Sequence, residues 1–293
     1  MPELLTYVEV IINVGSPSIV ANVYSMPQVY GLRHIKSIGD TIVQHGSFSS
    51  FRNLEYIEGN FKPLAKITSP YKGLSLYFND IKYSFKECER TTGVQEFNDT
   101  KVPNLEVDCE EVIDLRQAFT RFIGKELVFK NTENCSNFNG LLQYAVINIC
   151  KGLTFESATD ISNLYSSNNI LCIDSCLKGL GEKVLLANST FYDCRLFSII
   201  PDLIIPNCTS INSIFRGAWS ILEIGLCNFS SIISATDAFM NMYYLKKISF
   251  VEESIPISLN FSKSKVLELE SAKSIIKGLK NYAGTDKEFV YSI

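Results

Sequence analysis

Three segments near the C-terminal end repeat one phrase: STFYDCRLFSII (189–200), SIFRGAWSILEI (213–224) and DAFMNMYYLKKI (237–248). The phenylalanine of each segment lies 24 residues from the next one, and apolar residues follow it after six and after nine positions. A fixed period of this length is typical of a solenoid, because a single coil can bury its apolar face only against a neighbouring coil. The repeat therefore predicts an elongated stack of coils.

The apolar positions also predict what each coil contains. Ile200, Ile224 and Ile248 are expected on short parallel strands, in a β-rich α/β fold with irregular or short helical turns between the strands. The repeated phenylalanines are expected at the end of the helical turn, where they would stack as a spine through the core. Upstream, the same template starts again at Phe138 and Leu164.

The repeat pattern divides the chain into five parts. We predict an N-terminal cap (1–25), first leucine-rich coils (26–67), an insertion or degenerate coils (68–112), the main solenoid (113–264) and a C-terminal cap (265–293).

Both ends are expected to cover the terminal coils of the stack. Residues 7–12 predict a strand at the start. The C-terminal cap is expected to contain a short strand at 266–269, a helix that begins at 271 and a closing strand at 289–293.

The nine cysteines favour buried, reduced thiols over a disulfide framework. Cysteine alternates with Leu and Val at one position, twelve residues after the start of each coil. Three cysteines occupy this position and are expected to be buried and free: Cys150, Cys176 and Cys227. The Cys172/Cys176 pair lacks both a second pair and a nearby histidine, so no metal site is expected there.

Composition argues against several classes of function. The net charge of −4 does not favour a nucleic-acid-binding surface, which normally needs clustered Lys and Arg. Apolar runs are too short for a membrane span. The first residues lack the basic start of a secretory signal, so we expect a chain that stays in a cytoplasm, leaves it by another route such as lysis, or has lost a signal.

Catalytic motifs are also missing from the sequence. The two histidines, His34 and His45, have no neighbouring residues that would complete a triad, and no P-loop or H-E-x-x-H motif occurs. We therefore expect no enzymatic activity, no catalytic residues and no cofactor. A pair of carboxylates brought together by the fold, as in glycoside hydrolases, is an alternative that the sequence leaves open.

Two surfaces are candidates for interaction. The first is the outward face of the strands, where stacked residues form a continuous polar strip. Its candidate residues are His34, Lys36, Tyr56, Glu58, Glu223 and Lys247. The second is the 68–112 stretch, which could project aromatic anchors. Its candidates are Tyr71, Tyr77, Phe78, Tyr83 and Phe85. The alternatives are a sheet face that is merely solvated and rings that simply cover the flank of the solenoid.

Segment 213–224 resembles the coil of BspA-like leucine-rich repeats of bacterial surface proteins, which reads roughly S-x-M-F-x-G-C-x-x-L-x-x-L. Ala218 stands where that family often has cysteine, and Cys194 retains it in the preceding coil. Residues 270–279 resemble the helical cap that commonly closes such repeats in bacterial and bacteriophage proteins. The resemblance covers roughly residues 130–293 and implies a leucine-rich-repeat solenoid that serves as an interaction scaffold.

The resemblance implies a non-enzymatic function in protein–protein interaction or structure. The first hypothesis is a bacteriophage virion component, in the tail or a host-recognition appendage, synthesised in the bacterial host cytoplasm. Its partners would be other virion proteins or a host surface protein or glycan, and the chain could form a homo-oligomer within the assembly. The alternative is a bacterial cell-surface adhesin that binds host protein or glycan.

Overall fold

The computed structural model describes residues 8–14, 20–21, 32–43, 56–63, 80–86, 91–174, 176–261 and 263–281, and up to residue 80 it describes the backbone alone. In this part of the chain, every strand pairing is parallel. The fold is a parallel β-solenoid with little helix, as the repeat predicts. One line of single bridges runs from Thr92 to Ser234 and links seven successive coils.

The described strands form three sheets. The first contains β1 (Val8–Val14), β2 (Val20–Ala21), β3 (Leu32–Val43) and β4 (Tyr56–Pro63), and β3 pairs with the other three. The second runs in chain order through β5 (Asp80–Ser84), β6 (Asn104–Asp108), β7 (Ile123–Lys130), β8 (Val146–Lys151) and β9 (Asn169–Ile173).

The third sheet contains β10 (Ile199–Ile200), β11 (Leu203–Ile204), β12 (Glu223–Asn228) and β13 (Lys247–Phe250). The strand β12 pairs with both short strands and with β13. Ile200 lies opposite Ile224, and Ile224 lies opposite Ile248, so the predicted strands and their stacking are confirmed. The helix α1 (Leu269–Gly278) follows this sheet.

Before the sheet, each coil runs through overlapping β-turns in place of the predicted short helical turn. In one coil, the amides of Ala118 and Thr120 donate to carbonyls three residues earlier, at 3.1 and 3.3 Å. The amides of Phe119 and Arg121 donate instead to the next coil, at 3.0 and 2.9 Å. An α-helix would use all these amides within itself. The alternating pattern lets one segment turn and also pair with its neighbour.

Left-handed residues mark these turns in all seven coils. Two residues per coil, four positions apart, have φ between 51° and 72°. The pairs are Gln95/Asp99, Gln117/Arg121, Gly140/Tyr144, Asn163/Ser167, Ser189/Asp193, Ser213/Gly217 and Asp237/Asn241. A left-handed conformation costs a non-glycine residue roughly 1–2 kcal/mol, so the hydrogen bonds between coils must impose it.

A column of large side chains runs through the core, five residues after each bridge residue. Its members, all buried, are Phe97, Phe119, Leu142, Tyr165, Phe191, Phe215 and Phe239. The ring centroids of Phe191 and Phe215 are 5.3 Å apart, and those of Phe215 and Phe239 are 5.5 Å apart, so the predicted spine is confirmed. The predicted starts at Phe138 and Leu164 are wrong, because Leu142 and Tyr165 occupy the column.

This error in register arises because the distance from spine to strand has two values. The strand begins four residues after Phe119, Leu142 and Tyr165 but eight residues after Phe191, Phe215 and Phe239, whose coils we call the long coils. Each of the three long coils carries four extra residues between spine and strand, at 195–198, 219–222 and 243–246. A template taken from long coils therefore falls four residues early on Phe138, in place of Leu142. The other predicted start, Leu164, lies one residue before Tyr165.

Seven of the eight described cysteines are buried, whereas Cys172 is exposed. Cys150 lies on β8 and Cys227 on β12, and both pair with apolar residues of the adjacent strands. These two thiols and that of Cys176 are buried and free, which confirms the prediction. Cys176 nevertheless lies beyond β9, and Ile173 takes the position predicted for it opposite Cys150.

The described residues of the 68–112 stretch form regular coils. The strands β5 and β6 pair in register, with Ile81 opposite Leu105 and Tyr83 opposite Val107. The strand β6 then pairs with β7 in the same way. Residues 80–84 and 104–108 therefore pair as strands of successive coils, whereas residues 68–79 and 87–90 lie outside the described part.

The C-terminal cap differs from the prediction in one element. The expected helix is present as α1, and β1 confirms the expected first strand. The expected strand at 266–269 is wrong. In its place, Ser271 and Ser274 of α1 provide hydrogen-bond acceptors for the edge amides of β13. Their hydroxyl oxygens accept hydrogen bonds from the amides of Ile248 and Phe250, at 3.0 and 2.9 Å. The predicted closing strand at 289–293 lies outside the described residues.

Candidate interaction surfaces

The outward face of β5–β8 carries a row of aligned residues, which we call the strand face. Pairing places Lys82 opposite Glu106, Glu106 opposite Val128 and Val128 opposite Lys151. Buried residues alternate with these, because successive side chains of a strand point to opposite faces. The strand face is thus continuous from coil to coil.

Ion pairs between coils order the charged side chains of the strand face. The Nζ of Lys130 is 2.8 Å from Oε1 of Glu106, and the Nζ of Lys151 is 2.6 Å from Oε1 of Glu126. The hydrogen bond from Lys130 lowers the pKa of the Glu106 carboxyl below its usual value. Exposed pairs of this kind contribute little stability, so their main effect is a patterned, locally neutral surface.

Three depressions of about 160 to 290 Å³ lie along the described strands β5–β8. One of about 160 Å³ is lined by residues that include Lys82, Glu106 and Glu126. Ligand pockets for small molecules are usually concave and about 300–1,000 Å³ in volume. This depression is a better match to a flat recognition surface than to a substrate pocket.

Glu223 and Lys247 extend the outward polar strip into the third sheet. They lie opposite each other on β12 and β13, and Nζ of Lys247 is 3.0 Å from Oε1 of Glu223. This hydrogen bond raises the pKa of Lys247. Ile199, opposite Glu223 on the other side, is 62% exposed, so this part of the surface mixes charge with apolar area.

The N-terminal sheet brings the four other predicted strand residues into rows. His34 lies opposite Tyr56, and Lys36 lies opposite Glu58. The backbone register therefore supports the predicted alignment. The orientation of these side chains lies outside what the structure describes, and their part in a surface stays a prediction.

Two of the predicted aromatic anchors are not on the surface. Tyr83 is 5% exposed and Phe85 is fully buried, and their rings pack edge to face at 4.9 Å. Both belong to the core because β5 is a regular strand whose apolar residues face inward. Tyr71, Tyr77 and Phe78 lie outside the described residues.

Sequence reasoning missed a row of side chains on the extra residues of the long coils. Arg195, Trp219 and Tyr243 each follow the spine residue by four positions, and we call them the aromatic row. The guanidinium carbon of Arg195 is 5.7 Å from the Trp219 ring centroid, and the Trp219 and Tyr243 rings are 6.4 Å apart. A visible signal was the recurrence of Arg, Trp and Tyr at one template position.

The described part of the chain presents no other arrangement with an evident chemistry. It contains no group of three or more His, Cys, Asp or Glu residues placed to hold a metal ion. Burial raises the pKa of thiols such as Cys135, to about 12, which disfavours the nucleophilic thiolate. Among the described residues, no helix has the length and apolar character to cross a bilayer.

Comparisons of the chain with protein-family models, with curated proteins and with solved structures found no match.

Proposed function

We propose that this protein is a non-enzymatic recognition scaffold of the leucine-rich-repeat type, which works in a bacteriophage virion through contacts with other proteins. Its place would be the tail or a host-recognition appendage. The observation that carries the proposal is the continuous strand face, on which residues from successive coils align in register. Repeat proteins use such extended surfaces for binding.

The resemblance to BspA-like repeats supports the virion assignment through the cap. Helical caps of this kind occur in bacterial and bacteriophage proteins of that type, and here α1 covers the edge strand β13. The same resemblance supports a second candidate, a bacterial cell-surface adhesin that binds host protein or glycan. The two differ in where the protein is found.

Location therefore tests the proposal directly. Antibodies raised against the purified chain would be applied to purified phage particles and to intact bacterial cells from the native source. We expect labelling of particles, at one position on the tail or appendage, and detection of the chain among particle proteins by mass spectrometry. Labelling confined to the cell surface would replace the virion assignment with the adhesin.

The use of the outward strip is tested by a charge exchange. The double variant Glu223→Lys, Lys247→Glu retains an ion pair, at 3.0 Å in the native chain, but reverses its direction. We expect normal folding and at least about tenfold weaker binding to the partner found in the particle, because a wrong charge pattern is penalised across an interface. Unchanged assembly would remove this part of the strip from the interface. The exchange Glu126→Lys, Lys151→Glu tests the strand face in the same way.

A further inference from the structure

The extra residues of the long coils form a surface that the strand face does not include. They recur in three successive coils and are missing from the described short coils. Insertions that recur at one point of a repeat lie on one face of a solenoid, and that face is often the binding face. Here they place Arg195, Trp219 and Tyr243 side by side.

Three aromatic side chains on this surface are exposed. Trp219 is 47% exposed, Tyr243 is 41% exposed and the adjacent Tyr244 is 59% exposed. Trp and Tyr combine a large apolar ring with a hydrogen-bonding group, which makes them suited to a ligand that is apolar on one face and polar at its edge.

Neighbouring polar groups hold the aromatic row in place. The guanidinium of Arg195 donates two hydrogen bonds to the carboxylate of Asp193, at 3.3 and 3.1 Å, and lies over the Trp219 ring. The Tyr243 hydroxyl donates to Oδ1 of Asn241 at 3.3 Å. Because these contacts already restrict the side chains, a ligand would lose less free energy in ordering them.

Two ion pairs lie next to the aromatic row in the sequence, and the exposed Lys246 adds one positive charge at its end. Asp193 pairs with Arg195 at 3.1 Å, and Arg216 pairs with Asp237 at 3.0 Å. Such pairs leave little net field to select an anion or a cation, but their oxygen and nitrogen atoms can still bond to hydroxyl groups. The site therefore matches a neutral ligand that is rich in hydroxyls.

We propose that the aromatic row, together with Tyr244, binds a neutral oligosaccharide. The C–H faces of sugar rings carry partial positive charge and stack on the negative faces of aromatic rings. Sugar rings recur along an extended chain at an interval similar to the spacing of stacked strands, about 4.8 Å, so successive rings can meet successive coils. This inference goes beyond the proposed function, because it concerns a surface other than the strand face and names one class of ligand, a neutral oligosaccharide.

The chain itself supplies the probe for the test, since Trp219 is its single tryptophan. The full-length protein would be titrated with neutral hexasaccharides of glucose (α- and β-linked), mannose and N-acetylglucosamine, with hexagalacturonate as the anionic comparator. We expect a saturable change in tryptophan emission with at least one neutral sugar, unaffected by added NaCl. No saturable change with any neutral sugar, or tighter binding of the anion that salt abolishes, would overturn the proposal.

Two matched variants assign the binding to the aromatic row. Tyr243→Ala should weaken sugar binding at least about fivefold, the lower end of what one aromatic ring contributes when a nucleic-acid base stacks on it. Tyr144→Ala removes a ring that is 50% exposed on a short coil, and it should leave the affinity unchanged. Circular dichroism checks that both variants fold. Equal sugar affinities in the native protein and in both variants would refute the assignment. Binding of only a protein partner by the aromatic row would also refute it.

The result is separable from the test of the proposed function. The sugar titration uses no partner and leaves Glu223 and Lys247 unchanged, whereas the charge exchange leaves the aromatic row unchanged. A virion protein that binds no sugar would overturn this inference alone. A sugar-binding protein confined to the cell surface would overturn the virion assignment alone.

Discussion

The phenyl ring of Phe215 lies in the core between those of Phe191 and Phe239, at centroid distances of 5.3 and 5.5 Å. Phe215→Ala would leave a cavity shared by three coils, so we expect the free energy of unfolding to fall by about 3–5 kcal/mol. Denaturant unfolding followed by circular dichroism measures the change. The exposed-ring variant Tyr144→Ala is the control, and a loss for Phe215→Ala no larger than in this control would contradict the role of the spine.

Asn168 is a polar residue at a core position that is apolar in the neighbouring coils. It is 1% exposed, and neither its side-chain nitrogen nor its side-chain oxygen has a hydrogen-bond partner. Three residues after the spine, the neighbouring coils have Ala145 and Cys194, which are also buried. An unpaired buried polar group costs about 1–3 kcal/mol, so the amide makes this position less stable than its neighbours.

Replacement of that amide should therefore stabilise the protein. We expect Asn168→Ala to raise the free energy of unfolding by about 1 kcal/mol, less than the full penalty because a small cavity remains. Ala145→Asn, the reverse change in the preceding coil, should lower it. Thermal and denaturant melts of both variants provide the measurement, and a destabilised Asn168→Ala protein would show that the amide has a partner in solution.

At the scale of elements, α1 closes the solenoid through hydrogen bonds that imitate a further strand. The Ser271 hydroxyl accepts from the Ile248 amide at 3.0 Å and donates to the Lys246 carbonyl at 3.4 Å. The Ser274 hydroxyl accepts from the Phe250 amide at 2.9 Å. An open sheet edge would be a template for pairing with another chain, and the helix covers it.

The double variant Ser271→Ala, Ser274→Ala tests this cap. It leaves two edge amides without acceptors, and each should cost about 1–3 kcal/mol. Hydrogen exchange at the Ile248 and Phe250 amides should become faster, and the protein should aggregate more readily. The control is Lys273→Ala, which removes only an exposed pair with Glu270 at 2.7 Å. Unchanged protection of both amides in the double variant would show that other contacts cover the edge.

Across the whole molecule, buried thiols link stability to pH. Desolvation raises the pKa of Cys176 to about 12 and that of Cys208 to about 11, from an ordinary value of 9.0. Above pH 9 the unfolded chain releases these protons, whereas the folded chain retains them. The contribution of these thiols to stability is therefore fully present below about pH 9. It is lost as the pH rises toward their pKa values in the folded chain.

We expect the free energy of unfolding to fall by about 1.4 kcal/mol per pH unit for each such thiol between about pH 9 and 11. Urea unfolding at several pH values measures the slope. The double variant Cys135→Ala, Cys208→Ala should make the slope shallower, because two of the thiols are removed. Alanine is compatible with this position, since Ala158 fills it in another coil. An identical slope in this double variant would contradict the assignment to thiols.

The sequence alone determined the features that repeat. Its 24-residue period, the spine of Phe191, Phe215 and Phe239 and the stacked strands at Ile224 and its neighbours could be predicted, because burial imposes the same residue type on every coil. The burial of the cysteines followed from the same argument. What repeats along the chain must occupy equivalent places in space.

Features that depend on which coils meet could be seen only in the folded molecule. The two spine-to-strand distances account for a spine residue at Leu142 in place of Phe138, and regular pairing of β5 buried Tyr83 and Phe85. The aromatic row and the serine cap arise from contacts between residues about 24 positions apart. The periodicity of apolar residues predicts which face of a coil is buried. The stacking of whole coils determines the neighbours of each side chain.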